Sequence, residues 1–204
     1  LAAYMVEGRP SRDHMAARTL AASDPGAWDA LMSWCARVSA DFITSQIEAG
    51  ASAVQLFDSW VGSLSPRTYR ESVAPYSRMV AQRVAGAVSP VTGERAPLIH
   101  FGTGSAPILA DMAEVGANCV GVDWKTDLSW AIAQVPGKAV QGNLDPALLQ
   151  APWPVIEQAV RDILDAGRSA PGHVFNLGHG VPPTTDPDVL TRIVELVHEL
   201  GDAR

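Results

Sequence analysis

The chain has 204 residues, 47% of them apolar, and 22 acidic against 15 basic side chains leave a formal net charge of −7. This composition is that of a globular protein with one sizeable core, and its scattered Lys and Arg exclude the basic stripe of a nucleic-acid binder. No apolar run approaches the roughly 20 residues that span a bilayer, no signal-peptide pattern opens the chain, and Cys35 and Cys119 have no partner at metal-ligand spacing, so a reduced, cytoplasmic setting without membrane contact is expected.

The first stretch, "LAAYMVEG" (1–8), is apolar, opens on Leu1 rather than Met, and reads as the end of an element begun elsewhere. A helical pattern over 25–47 starts at Asp24-Pro25, where the carboxylate accepts an orphan backbone N–H and proline at the first position sacrifices no hydrogen bond. Trp28 and Trp34 fall within this pattern as packing residues, and Gly50 marks its stop. A strand-length run, "AVQLFD" (53–58), follows. Ser65-Pro66 then opens a helix that Pro75 kinks or divides. Further strand-length runs are "PLIHFG" (97–102), "CVGVDW" (119–124), "AVQGNL" (139–144) and "HVFNLG" (173–178). Asp145-Pro146 and Asp186-Pro187 are the remaining helix starts. Over 152–166, Val155, Ile156, Ala159, Val160, Ile163 and Leu164 keep a 3.6-residue period. Over 186–200, Val189, Leu190, Ile193, Val194, Leu196, Val197 and Leu200 do the same, with stops expected at Gly167 and Gly201.

Nearly continuous apolar strands alternating with helices predict a parallel sheet covered by helices, an α/β protein in a single domain over residues 1–204. Five strands fit either an open doubly wound sheet or the later part of a (β/α)8 TIM barrel, and the Leu1 opening favours the barrel.

Polar residues and glycines collect after each run, where parallel α/β folds place their ligand sites. "GTGSAP" (102–107) departs from the dinucleotide fingerprint at Pro107, so it reads as a tight turn offering a backbone N–H or two to an anion. His179 lies between Gly178 and Gly180, which permit close backbone approach and unusual φ, and is the stronger functional candidate of the two strand-end histidines. His100, in "IHFG", has no metal-ligand partner and reads as structural. Ser59 lacks a nucleophile elbow and is better suited to hydrogen-bond a substrate. Asp123 and Trp124 read as a turn cap and a core residue.

Taken in order, "YMVEG" (4–8), "QLFDSWVGSLSP" (55–66), "GVDWKTDL" (121–128), "VQGNLDP" (140–146) and "FNLGHGVPPTTDP" (175–187) resemble the C-terminal part of the uroporphyrinogen decarboxylase family along essentially the whole chain. The resemblance implies a distorted (β/α)8 barrel working as a homodimer, of which this chain supplies about the last five β/α units. It implies a reaction with no metal and no cofactor, in which the four acetate side chains of uroporphyrinogen III lose CO2 in turn to give coproporphyrinogen III. By motif it makes Tyr4, Ser59 and His179 substrate-binding residues. The family's catalytic aspartate and its arginine-bearing N-terminal motif have no counterpart here, since Asp58 and Asp123 match other positions. The catalytic group is therefore unassigned, the matched stretch is expected to lack arginines for so anionic a substrate, and the chain alone is expected not to decarboxylate. Two alternatives accompany this reading. One is a zinc-dependent corrinoid or thiol methyltransferase of the same superfamily, whose His-x-Cys pair is replaced here by His100-Phe101-Gly102. The other is a relative that binds tetrapyrroles without turning them over.

Overall fold

The computed structural model describes residues 1–9, 11 and 13–202. Five parallel strands, β1 (Val54–Phe57), β2 (Leu98–Phe101), β3 (Cys119–Gly121), β4 (Ala139–Gln141) and β5 (His173–Val174), lie side by side in the order of the chain. A doubly wound sheet reverses direction at a switch point, and this order never does, so the winding is that of a barrel. Curvature follows from one side-chain contact. Gln141 Nε2 on β4 donates to Gln55 Oε1 on β1 at 3.0 Å, although three strand spacings of about 4.8 Å separate those strands in a flat sheet. The two amides meet because the sheet curls around them, with Gln55 and Gln141 on the concave face.

The convex face carries the helices. Val54 and Leu98 pack beneath Ile43, Ile47, Val80 and Val84, which belong to α3 (Pro25–Glu48) and α5 (Ala74–Val84). These helices follow two short ones, α1 (Ala2–Glu7) and α2 (Met15–Ser23), and α4 (Pro66–Ser72). Pro75 does divide the segment after Ser65-Pro66, with Val73 at φ −131° between α4 and α5. Farther along, Val120 and Val140 are covered by α6 (Leu109–Ala113) and α7 (Leu128–Gln134). The stripes of α8 (Trp153–Gly167) and α9 (Pro187–Asp202) face each other through Ile156, Val160, Ile193 and Leu196.

The four expected caps are made. Asp24 accepts from Ala27 N, Ser65 from Thr68 N, Asp145 from Ala147 N and Asp186 from Asp188 N. Asp145-Pro146 opens a 3-10 turn over Pro146–Gln150 rather than an α-helix. Gly50, at φ +117°, follows the end of α3 as expected. Gly201 does not stop α9, which runs through it to Asp202. Gly167 closes α8 for a packing reason, because a side chain there would enter the His173 ring. Trp28 is buried and donates to Ser72 O at 2.8 Å, whereas Trp34 is 44% exposed. The strands are shorter than their apolar runs because the last residues of each run leave the ladder to build the rim. After β5 the pairing resumes farther on, with Leu144 N donating to Asn176 O and Gly178 N to Leu144 O.

If the α8–α9 interface holds this end of the sheet, Ile156→Ala, fully buried, lowers stability in urea by about 2–5 kcal/mol, while Val155→Ala, 47% exposed on the same helix, changes it by less than about 0.5 kcal/mol.

Candidate functional site

The loops beyond the C-terminal strand ends lock onto one another sideways. Asp58, just past β1, donates its N–H to Phe101 O at 2.7 Å, and the carbonyl of the next residue, Ser59, accepts from Thr103 Oγ1. Gly62 sits so close to Thr103 and Gly104 that any Cβ would overlap their backbone. Asp123, fully buried, accepts from Gly104 N, from Lys125 N at 3.2 Å and from Thr126 Oγ1 at 2.9 Å. It is a structural tie, as expected of a turn cap. It also claims the Gly104 N–H that the "GTGSAP" turn was expected to offer an anion. Asn143, past β4, donates to the carbonyls of Asp123 at 2.8 Å and Thr126 at 2.6 Å.

The His179 loop joins this rim through Gly178. A Cβ on Gly178 would lie 2.7 Å from Trp124 Cα, so only glycine lets the two backbones touch. Gly180 faces open space, and neither glycine is among those with positive φ, so of the two freedoms the sequence permits, close approach is the one used, at Gly178. The imidazole of His179 then meets the Trp124 ring edge-on, centroids 5.4 Å apart, and Lys125 Nζ stands 4.9 Å from the centre of the same indole. The glycines give His179 a fixed base and an exposed ring.

Tyr4 of α1, Ser59 after β1 and His179 after β5 all line one cavity of about 570 Å³. The sequence placed these residues in separate motifs, and the fold brings them to one rim. Trp60 is the centre of its aromatic wall, with the Tyr4 ring 4.2 Å away and the His14 ring stacked on it at 4.5 Å and 26°. Arg18, on α2, lines the cavity as well, which corrects the expectation that this stretch has no arginine for an anionic ligand. Asp58 is the single acidic side chain among the described residues of the lining. Trp60, His14 and Arg18 were not anticipated. Trp60 had a signal, since it follows Ser59 directly, but nothing in the pattern around 9–18 marks its histidine and arginine. Glu7 of "YMVEG" has a structural task, accepting from Ala17 N at 3.0 Å in the first turn of α2.

His100 is fully buried, with Nε2 3.5 Å from Asp58 Oδ2, and it stands in register between Leu56 and Val120, behind the lining residues Leu56 and Asp58 and not itself part of the lining. Both cysteines are buried. Burial raises the Cys35 thiol and pushes Cys119 up to about 11, so neither is a ready nucleophile. Among the described residues no three His, Cys, Asp or Glu side chains converge as a metal site.

A family model described as Uroporphyrinogen decarboxylase (URO-D) matches residues 1–200. Similar curated proteins, each named uroporphyrinogen decarboxylase, come from Arthrobacter sp. (strain FB24), 55% identical over 202 residues covering 98% of this chain and 56% of the relative, and from Salinispora tropica, 55% identical over 201 residues covering 98% and 52%. The protein of Streptomyces coelicolor is 54% identical over 199 residues, covering 97% and 54%. The chain thus spans about half the length of the curated relatives it matches. Among solved structures, a methyltransferase from Methanosarcina mazei superposes with a TM-score of 0.76 at 18% identity, covering 91% of this chain and 53% of that one. At that identity the likeness is one of fold.

If Gly178 is required for contact with Trp124, Gly178→Ala destabilises the chain by about 1–3 kcal/mol through overpacking and shifts the His179 ring signals in NMR spectra. Gly180→Ala, facing open space, leaves both unchanged.

Proposed function

The chain belongs to the uroporphyrinogen decarboxylase family, and on that premise we propose that its protein decarboxylates uroporphyrinogen III to coproporphyrinogen III in haem biosynthesis. Each of the four steps converts an acetate arm to a methyl group, releases CO2 and takes up one proton. Loss of CO2 leaves an electron pair that needs a sink, and a protonated pyrrole carbon supplies one. The protein must therefore hold a macrocycle with eight carboxylates in one orientation while protons are delivered.

The observation that carries the reading is the convergence of Tyr4, Ser59 and His179, from α1, the β1 loop and the β5 loop, on one cavity. In this proposal the His179 imidazole donates to a carboxylate arm at the rim, with its ring direction set by Trp124. Ser59 offers a hydroxyl from a backbone pinned by Thr103, and Tyr4 offers a phenol hydroxyl beside Trp60. These groups bind and orient. The residue that gathers the pyrrole N–H groups is not assigned to this stretch, because no motif of the chain matches the family's aspartate. The reading includes a single domain over residues 1–204, a homodimer, a cytoplasmic location, and no metal or cofactor. Among the described residues no helix is long and apolar enough to cross a membrane.

The test supplies uroporphyrinogen III under reducing conditions and separates products by carboxylate number. The protein at the full length of its relatives is expected to give a ladder from eight carboxylates to four, and residues 1–204 alone are expected to give none. His179→Asn, Ser59→Ala and Tyr4→Phe in the longer protein are each expected to lower kcat/KM by about 10- to 100-fold. Folded full-length protein that leaves all eight carboxylates in place contradicts the proposal.

A further inference from the structure

His14 combines several features that its neighbours do not explain. It is 6% exposed, yet among the described residues neither ring nitrogen has a hydrogen-bond partner, and buried polar groups without partners are rare enough in native proteins to demand a cause. Its backbone is left-handed at φ +48°, the single non-glycine residue among those described with positive φ. Backbone strain of this kind concentrates where a side chain must be aimed for a purpose. The ring is aimed into the cavity lining and lies flat against Trp60.

The surroundings favour an anion. Arg18, one helical turn onward and in the same lining, makes a single long bond among the described residues, 3.5 Å to Asp13 O. Its guanidinium is thus largely uncommitted, and among the described residues of the lining the opposing charge is that of Asp58. We propose that His14 is a further ligand contact, pairing with a carboxylate arm of the bound molecule where the ring lies on Trp60, with Arg18 supplying the field. This rests on the polycarboxylate reading of the cavity given above. Because Trp60 covers the ring, the arm reaches the imidazole by displacing the indole, and the change in that stack reports the event.

The experiment titrates the purified chain with uroporphyrin III and with its octamethyl ester, read by tryptophan fluorescence, for wild type, His14→Phe and His14→Asn. Phe keeps the stack and removes both nitrogens, while Asn restores a hydrogen-bonding group without the ring. The proposal expects His14→Phe to weaken uroporphyrin III about tenfold, His14→Asn to recover part of the loss, and the uncharged ester to bind all three alike. Equal affinity of wild type and His14→Phe for uroporphyrin III overturns it. Thermal melting checks that His14→Phe is folded, and if it is not, the comparison of wild type with His14→Asn decides. Benzenehexacarboxylate separates the two readings. If wild type ignores uroporphyrin III but binds benzenehexacarboxylate in a His14-dependent way, the tetrapyrrole reading fails and the carboxylate contact stands. If wild type binds neither, both fail.

Discussion

Asp123 is a carboxylate with no exposure to water, and its hydrogen bonds determine where the rim of the sheet lies. Burying a charge unpaired costs several kcal/mol, so the donors around it are obligatory. They come from Gly104 of the β2 loop and from Lys125 and Thr126 of its own loop, while its carbonyl takes Asn143 from the β4 loop. Three successive strand ends are thereby tied at one residue. Steric fit extends the tie at both flanks, through Gly62 against Thr103 and Gly178 against Trp124. Ser59, through its carbonyl on Thr103, and His179, through its ring on Trp124, are attached to residues of this same rim.

Below the rim, curvature does the rest. A flat five-stranded sheet would hold the first and last loops far apart, and the Gln55–Gln141 bond shows the sheet curled enough for β1 and β4 side chains to meet. Curling turns the strand ends toward a common axis, so that residues from the β1 and β5 loops share a cavity with Tyr4. The charge distribution follows a similar logic. The chain carries a net −7, but the described lining of the cavity contains Arg18, two imidazoles and a single carboxylate. Local placement sets what an anion meets, and the formal total does not.

Much of this was legible in advance. Capping residues followed by proline marked the starts of α3, α4 and α9 and of the 3-10 turn at Pro146, because an N-cap oxygen and a preset φ act locally. Apolar runs marked the five strands, because both faces of a parallel sheet are buried. Tyr4, Ser59 and His179, singled out by motif, line one cavity. What could not be read was anything decided by distant contact. The strand ends were placed too late, since whether Gly142 or Val122 continues the ladder depends on the neighbouring loop. Trp34 looked like Trp28 in the helical pattern, and only packing separates them. Helix α2 passed unnoticed because its first turn is satisfied by Glu7, from another helix. His14 and Arg18 were invisible for the same reason, lying in a stretch whose order comes from Trp60 and α1.

In the proposed function, the cavity bounded by Tyr4, Ser59 and His179 receives a polycarboxylate macrocycle. The most direct measurement labels the five histidines with nitrogen-15 and follows their ring signals during titration with uroporphyrin III. If the macrocycle enters this cavity, His179 and His14 shift together and saturate at one concentration, while His100, His173 and His198 stay where they are. Saturable binding that leaves His179 unmoved, or that moves His198 on α9 instead, would contradict it.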